Sequence, residues 1–76
     1  MSAPAFTAAM MLAMKYNRLR LNIKEVADEL GISASSIYNR RAKGTFDIPM
    51  YEDGGFVYAD VRDLGDYIDR LRENAA

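Results

Sequence analysis

The residues best suited to a binding chemistry lie between Ser35 and Lys43, where two serines are followed by an aromatic residue, an amide and three cations. An asparagine side chain can form a bidentate pair with adenine, and arginine or lysine can bind phosphate. If Ile37 faces the core and each residue of a helix advances by about 100°, Asn39 points to the opposite side. The candidate DNA-binding residues of this segment are Ser35, Ser36, Tyr38, Asn39, Arg40, Arg41 and Lys43.

Arg41 departs from the expected pattern, because it lies only about 40° from Ile37 on a helix and an apolar residue would suit that position. Its alkyl stem can cover the core while the guanidinium reaches a phosphate. Further phosphate contacts are predicted at Asn22 and Lys24, near the start of the preceding helix, where backbone amides add donors.

Charge is distributed unevenly along a chain whose formal net charge is −1. Between Lys15 and Lys43 there are seven basic and three acidic residues, whereas from Thr45 to the end there are three basic and eight acidic ones. A basic half attracts phosphate, while an acidic half repels it or offers a contact for the basic half of another copy.

The chain has neither cysteine nor histidine. Disulfides, thiolate metal sites, the usual zinc ligand and the usual general base are therefore excluded. Asp60, Asp63 and Asp66 could support metal-dependent hydrolysis, but they fit better as a helix cap and as surface charges. We predict a protein that is not an enzyme and that needs no cofactor or metal.

The elements that must position these residues start with a predicted helix over Ala3–Tyr16, which Ser2 can cap and whose first turn suits Pro4. Its apolar stripe consists of Phe6, Met10 and Met14, spaced four residues apart. Such a stripe is most often core, and the alternative is an oligomer contact.

A second helix is predicted to start at Asn22, where Glu25 three residues later completes a capping box. Ile23, Val26, Ala27 and Leu30 follow the amphipathic spacing, and Gly31 ends the helix because glycine takes left-handed angles freely. Ser33 then caps a third helix over Ala34–Lys43, and Gly44 stops it. Two short helices joined by a tight glycine-containing turn are typical of a helix-turn-helix.

The last part of the chain predicts a hairpin followed by a helix. Strands over Ile48–Glu52 and Phe56–Ala59 flank Asp53, Gly54 and Gly55, a strong hairpin signal that would form a wing. Asp60 caps the final helix, whose predicted buried stripe is Val61, Leu64, Ile68 and Leu71. Gly65 inside this helix costs about 1 kcal/mol relative to alanine, which a close helix contact would explain.

Leu21–Ala27 followed by Leu30–Ser33 resembles the opening of small winged helix-turn-helix DNA-binding proteins, the excisionase-like and AlpA-like regulators related to the MerR DNA-binding domain. Ser33–Tyr38, Lys43–Phe46, Gly54-Gly55 and Ala59–Val61 extend the resemblance. It implies a mainly α fold with a small β-hairpin and a winged helix-turn-helix over residues 21–76. The predicted N-terminal helix and connector over residues 1–20 lie outside the resemblance, and we expect them to complete one compact domain.

The chain differs from this family at Arg40, where an aromatic residue is common, and at the wing. Family wings that touch DNA usually carry Lys or Arg near the tip, whereas this one carries Glu52 and Asp53. The wing aromatics Tyr51, Phe56 and Tyr58 suit protein contact or core.

The resemblance implies a double-stranded DNA-binding regulator of phage or mobile-element type, acting in transcription or as an excisionase-like architectural factor. The alternative is a protein-interaction module on the same scaffold. Expected partners are DNA, further copies arranged as a dimer or a head-to-tail row, and an integrase or RNA polymerase. The apolar run from Ala3 to Met14 is shorter than the about 20 residues of a membrane span, so we expect a cytoplasmic protein without membrane contact.

Overall fold

The computed structural model describes residues 6–75 and confirms a mainly helical chain with a small β part. These residues form four helices and one three-stranded antiparallel sheet. In chain order the elements are α1 (Ala8–Tyr16), β1 (Arg20–Asn22), α2 (Ile23–Leu30), α3 (Ala34–Ala42), β2 (Tyr51–Asp53), β3 (Phe56–Asp60) and α4 (Val61–Asn74).

Helix α1 starts at Ala8, later than the sequence predicted. Thr7 is its N-cap, and its hydroxyl accepts a hydrogen bond from the Met10 amide at 3.2 Å. Phe6 and Thr7 are not helical, because the cap residue takes an extended backbone to satisfy a free amide of the first turn. The predicted cap at Ser2 and the first-turn Pro4 lie outside the described residues.

The interpretation of Phe6, Met10 and Met14 as core is wrong. Their side chains are 60%, 48% and 71% exposed, and Leu12 is the buried residue of α1. Helix α1 packs against α4 instead, and its Ala9 lies against Gly65 of α4. The side of α1 that carries Ala9 faces α4 because the two helices approach closely at Gly65.

Gly65 marks the place where α1 and α4 come closest. A Cβ atom at this position would lie 2.8 Å from the Cβ of Ala9 and would also overlap the Ala9 backbone. The close helix contact that would explain a glycine at position 65 is therefore present. The small side chains of both helices permit the approach, which the bulkier methionines on the other side of α1 would prevent.

The predicted hairpin forms, with Gly54 and Gly55 at positive φ angles of 61° and 85° in its turn. The strand before it starts at Tyr51, whereas the sequence predicted Ile48. Pro49 lacks the amide that a strand ladder needs, and Ile48 is buried in the core instead.

A third strand, β1, forms where the predicted connector meets the start of α2, and it was not predicted from the sequence. Its residues pair with β3, so that Leu21 faces Ala59 and the strand order is β1-β3-β2. Because β1 leads directly into α2, this pairing places the start of α2 beside the hairpin, although the two are far apart in the chain.

The core lies between the sheet and the four helices, and α1 contributes Leu12 to it. Its fully buried large side chains are Leu21, Ile37, Leu64, Val26 and Val61. The predicted stripe of α4 is correct for Val61 and Leu64 and partly for Ile68, but Leu71 is 50% exposed. Asp69 accepts a hydrogen bond from the amide of Ala8, the first residue of α1, so Leu71 lies beyond the end of its partner helix.

Over residues 6–75, no helix has both the length and the apolar character that crossing a membrane requires.

Candidate nucleic-acid interface

Helix α3 is held in place by its cap and by one buried side chain. Ser33 is the N-cap, and its hydroxyl accepts a hydrogen bond from the Ser36 amide at 3.1 Å. Ile37 is fully buried against the core. Because Ile37 fixes the inward face, the opposite face of α3 is turned to solvent, as the helical spacing predicted.

Six of the seven candidate residues on this helix and its C-cap are exposed, namely Ser35, Tyr38, Asn39, Arg40, Arg41 and Lys43. Ser36 is half-buried, and its hydroxyl lies 3.0 Å from that of Ser33. The Ser36 side chain therefore belongs to the helix cap, and Ser35 is the serine that faces outward.

The three cations at the end of α3 differ from the other basic residues of the first half. Within residues 6–75, Arg40, Arg41 and Lys43 form no ion pair with a carboxylate. By contrast, the remaining four pair as Lys15–Glu29, Arg18–Glu25, Arg20–Asp53 and Lys24–Asp28. The uncompensated positive charge of this half is thus concentrated at one end of α3.

The start of α2 is less open to phosphate than the sequence predicted. The Asn22 side chain accepts from the Glu25 amide at 2.8 Å, and the Glu25 carboxylate accepts from the Asn22 amide at 3.0 Å. The Arg18 guanidinium, which hydrogen-bonds this carboxylate, lowers the pKa of Glu25. An ionised carboxylate therefore already occupies the positive end of α2.

Lys24 remains available beside this cap. Its ammonium lies 3.3 Å from Asp28, and both side chains are mostly exposed, so the pair is weak and can be exchanged for a phosphate.

A groove of about 230 Å³ joins four of the predicted site residues. It runs between the start of α2, the middle of α3 and the hairpin turn, and Asn22, Lys24, Tyr38 and Gly55 all line it. Phe56 lines it as well and is 65% exposed. The sequence assigned Phe56 to protein contact or core, although its place directly after the turn glycines was a signal that it projects from the hairpin tip.

The hairpin is less acidic than its sequence suggests. The Arg20 guanidinium of β1 lies 2.8 Å from the Asp53 carboxylate and stacks 4.6 Å from the centre of the Tyr58 ring. Since β1 and β2 are both paired with β3, only the folded sheet brings Arg20 next to the hairpin. Glu52 is exposed.

Asp60, Asp63 and Asp66 were considered for metal-dependent hydrolysis, and the structure places them at the N-cap and on the surface of α4. Asp60 caps α4 by accepting from the Arg62 amide at 2.8 Å, and the Arg62 guanidinium, hydrogen-bonded to the same carboxylate, lowers the pKa of Asp60. Asp63 and Asp66 are exposed on α4. In the described part of the chain no three acidic side chains are grouped so that they could hold a metal ion.

Comparison with known proteins finds no matching family model, no matching curated protein and no matching solved structure.

Proposed function

We propose that the chain binds double-stranded DNA with α3 in the major groove, as a winged helix-turn-helix regulator of phage or mobile-element type. One observation carries the proposal. The face of α3 opposite the buried Ile37 presents Asn39, and three cations without carboxylate partners among residues 6–75 follow at the C-terminal end of the helix and its cap.

In this proposal, the outward face of α3 recognises the bases. The major groove is about 12 Å wide and accepts a helix, and an asparagine amide matches the donor and acceptor pair of adenine. Ser35 lies in the first turn, where helices of this kind meet base edges. Asn39 is therefore the residue that selects sequence.

Phosphate binding falls to both ends of the same helix. Arg40, Arg41 and Lys43 supply charge at its C-terminal end, and its first turn contains no acidic residue that would repel an anion. These contacts give affinity and orientation without reading sequence. They also make binding fall with rising salt, because each neutralised phosphate releases counterions.

The groove beside α3 extends the same surface. Lys24 supplies a cation, and Tyr38 and Phe56 supply apolar walls that can pack against a deoxyribose. The Arg20–Asp53 pair reduces the repulsion between the hairpin and a phosphate chain. The hairpin can therefore lie beside the DNA backbone as a wing, despite its acidic sequence.

The proposal is tested by selecting bound duplexes from random DNA and measuring binding to the enriched sequence by fluorescence anisotropy. Asn39→Ala is expected to reduce the preference for the selected base pair about 5- to 150-fold, because one bidentate contact gives about 1–3 kcal/mol of discrimination. Asn74→Ala, the same change at an exposed residue at the end of α4, is the control and should leave binding unchanged.

Two outcomes would contradict DNA recognition by α3. One is that no duplex is enriched, and the other is that Asn39→Ala binds the selected duplex as the unaltered protein does. If either outcome is observed, a protein partner that stays bound at high salt would favour the protein-interaction module instead.

A further inference from the structure

The outer side of α1 is an apolar surface with no partner among the described residues. Phe6, Met10, Met11 and Met14 are between 48% and 71% exposed, and we call these four residues the methionine face. Phe6, Met11, Met14 and Lys15 line a hollow of about 390 Å³ on it. No charged residue occurs between Phe6 and Met14.

The methionine face is not a poorly packed part of the core. The opposite side of α1 carries Ala9 and the buried Leu12, and Ala9 lies against Gly65 of α4. Because that contact fixes the rotation of α1, the methionines are held outward by the fold itself. Four large apolar side chains with this exposure form a patch of roughly a few hundred Å², and the largest exposed patch of a monomer is often functional.

We propose that the methionine face binds the same face of a second copy of this chain, as a two-fold symmetric pair of α1 helices. A surface that meets itself must not bring like charges together, and an uncharged face satisfies this condition. Lys15 is the charged residue at the edge of the hollow, and its ammonium lies 2.5 Å from Glu29 of the same chain. The pair therefore buries no uncompensated charge.

The absence of charge on this face favours an uncharged apolar partner surface, and a second copy of the chain supplies one. A partner recognised through charge would need complementary groups on this face, and the segment from Phe6 to Met14 offers none. A head-to-tail contact between the basic end of α3 and the acidic α4 would leave the methionine face in water. Methionine side chains adapt their shape easily and make favourable contacts with aromatic rings, so Phe6 and the methionines can interdigitate with their symmetry mates.

Pairing through α1 leaves the DNA-binding surface free. Helix α1 packs on α4, whereas α3 packs on α2, so the two surfaces belong to different helix pairs. The proposal does not rest on the proposed function, because self-association can be measured without DNA.

The dimer is expected to be weak in free solution. Two patches of a few hundred Å² bury less than about 1,200 Å² in total, which is the range of transient contacts. Two copies held on neighbouring DNA sites would associate much more readily, because the second contact becomes intramolecular.

Sedimentation equilibrium of the full chain without DNA tests the proposal. The unaltered protein should shift from monomer to dimer between about 10 µM and 1 mM. The double variant Met11→Glu/Met14→Glu should weaken this association at least tenfold, since like charges would face each other. The double variant Leu19→Glu/Leu71→Glu is the matched control, because it changes two exposed apolar residues outside α1 by the same charge.

A charge-reversal mixture tests whether the face meets itself. Met11→Lys/Met14→Lys should also be monomeric alone, but an equimolar mixture with the Glu variant should restore dimers to within a few-fold of the unaltered protein. Restoration requires the two substituted faces to lie opposite each other. Far-UV circular dichroism checks that the variants fold, and Met14→Glu and Met14→Lys alone replace the double variants if they do not.

Three results would overturn the proposal. They are a protein that stays monomeric at 1 mM, a Glu variant that dimerises like the control, and a mixture of Glu and Lys variants that stays monomeric. The last result, with a dimeric unaltered protein, would mean that the methionine face meets a different surface of the second copy.

Discussion

At the scale of single residues, Gly65 shows how tertiary packing can reverse a local preference. Alanine at an exposed position inside a helix would stabilise it by about 1 kcal/mol relative to glycine. Gly65 is buried, however, and an added methyl group would overlap the backbone of Ala9. The close contact thus explains why the least favourable non-proline helix residue stands in the middle of α4.

Gly65→Ala is therefore expected to destabilise the protein, by about 1–3 kcal/mol, because overpacking a close contact forces the backbone to shift. Urea unfolding followed by circular dichroism measures the difference in the free energy of unfolding. Asp66→Ala, an exposed neighbour on the same helix, is the control and should change stability by less than about 0.5 kcal/mol. A Gly65→Ala variant more stable than the unaltered protein would show that helix propensity outweighs the contact.

At the scale of elements, α1 and α2 are joined by a small polar cluster around Glu29. The Glu29 carboxylate accepts hydrogen bonds from the Lys15 ammonium and the Tyr16 hydroxyl, both at 2.5 Å. These bonds lower the pKa of Glu29, chiefly through Lys15, while the bond to Glu29 raises the pKa of Tyr16. The cluster thus secures the last turn of α1 to α2, whereas the rest of α1 rests on α4.

This cluster predicts loss of stability in acid. Because the pKa of Glu29 is lower in the folded chain, its contribution is fully present above the ordinary value of 4.5 and disappears as pH falls through the folded value. Glu29→Gln should lower stability at pH 7 by about 1 kcal/mol, the typical worth of such a hydrogen bond, and should reduce the difference between pH 7 and pH 3.

The measurement for Glu29→Gln is urea unfolding at a series of pH values between 7 and 3. Part of the acid loss should remain in the variant, because the pKa values of Glu25 and Asp60 are also lowered by their arginine partners. Glu73→Gln, an exposed change at the end of α4, is the control. An identical pH profile for Glu29→Gln and the unaltered protein would contradict a role for the cluster.

At the scale of the whole molecule, the proposed DNA surface and the methionine face lie on separate helix pairs of a body measuring 42 × 28 × 17 Å. A two-fold pair would present two α3 helices related by the same symmetry. Two-fold symmetric helix-turn-helix dimers bind inverted half-sites about one helical turn apart, whereas head-to-tail copies would bind direct repeats. The arrangement of copies is therefore readable from the DNA sequence that the protein selects.

We expect the selected DNA to contain inverted half-sites and a nuclease footprint to cover both. Met11→Glu/Met14→Glu should protect one half-site at concentrations where the unaltered protein protects two, because it removes the contact between copies. Leu19→Glu/Leu71→Glu carries the same added charge and should still protect both. Direct repeats in the selected DNA would contradict the two-fold pair and support a row of copies.

The sequence by itself determined the features that are satisfied within a few residues of the chain. The caps at Asn22, Ser33 and Asp60 and the glycine end of α2 at Gly31 form as predicted, because donor and acceptor are two to four residues apart. The outward face of α3 follows from the helical repeat once Ile37 is taken as buried. These features depend on local backbone geometry alone, so the residue types are enough to predict them.

Only the tertiary structure decided which surfaces meet. The strand β1, the pairing of Arg20 with Asp53, the packing of α1 by its alanines and the exposure of its methionines all depend on contacts between residues far apart in the chain. An amphipathic pattern shows that a helix has an apolar side, but α1 is apolar almost all round. Close approach at Gly65 then selected the small-residue side, and the methionines were left outside.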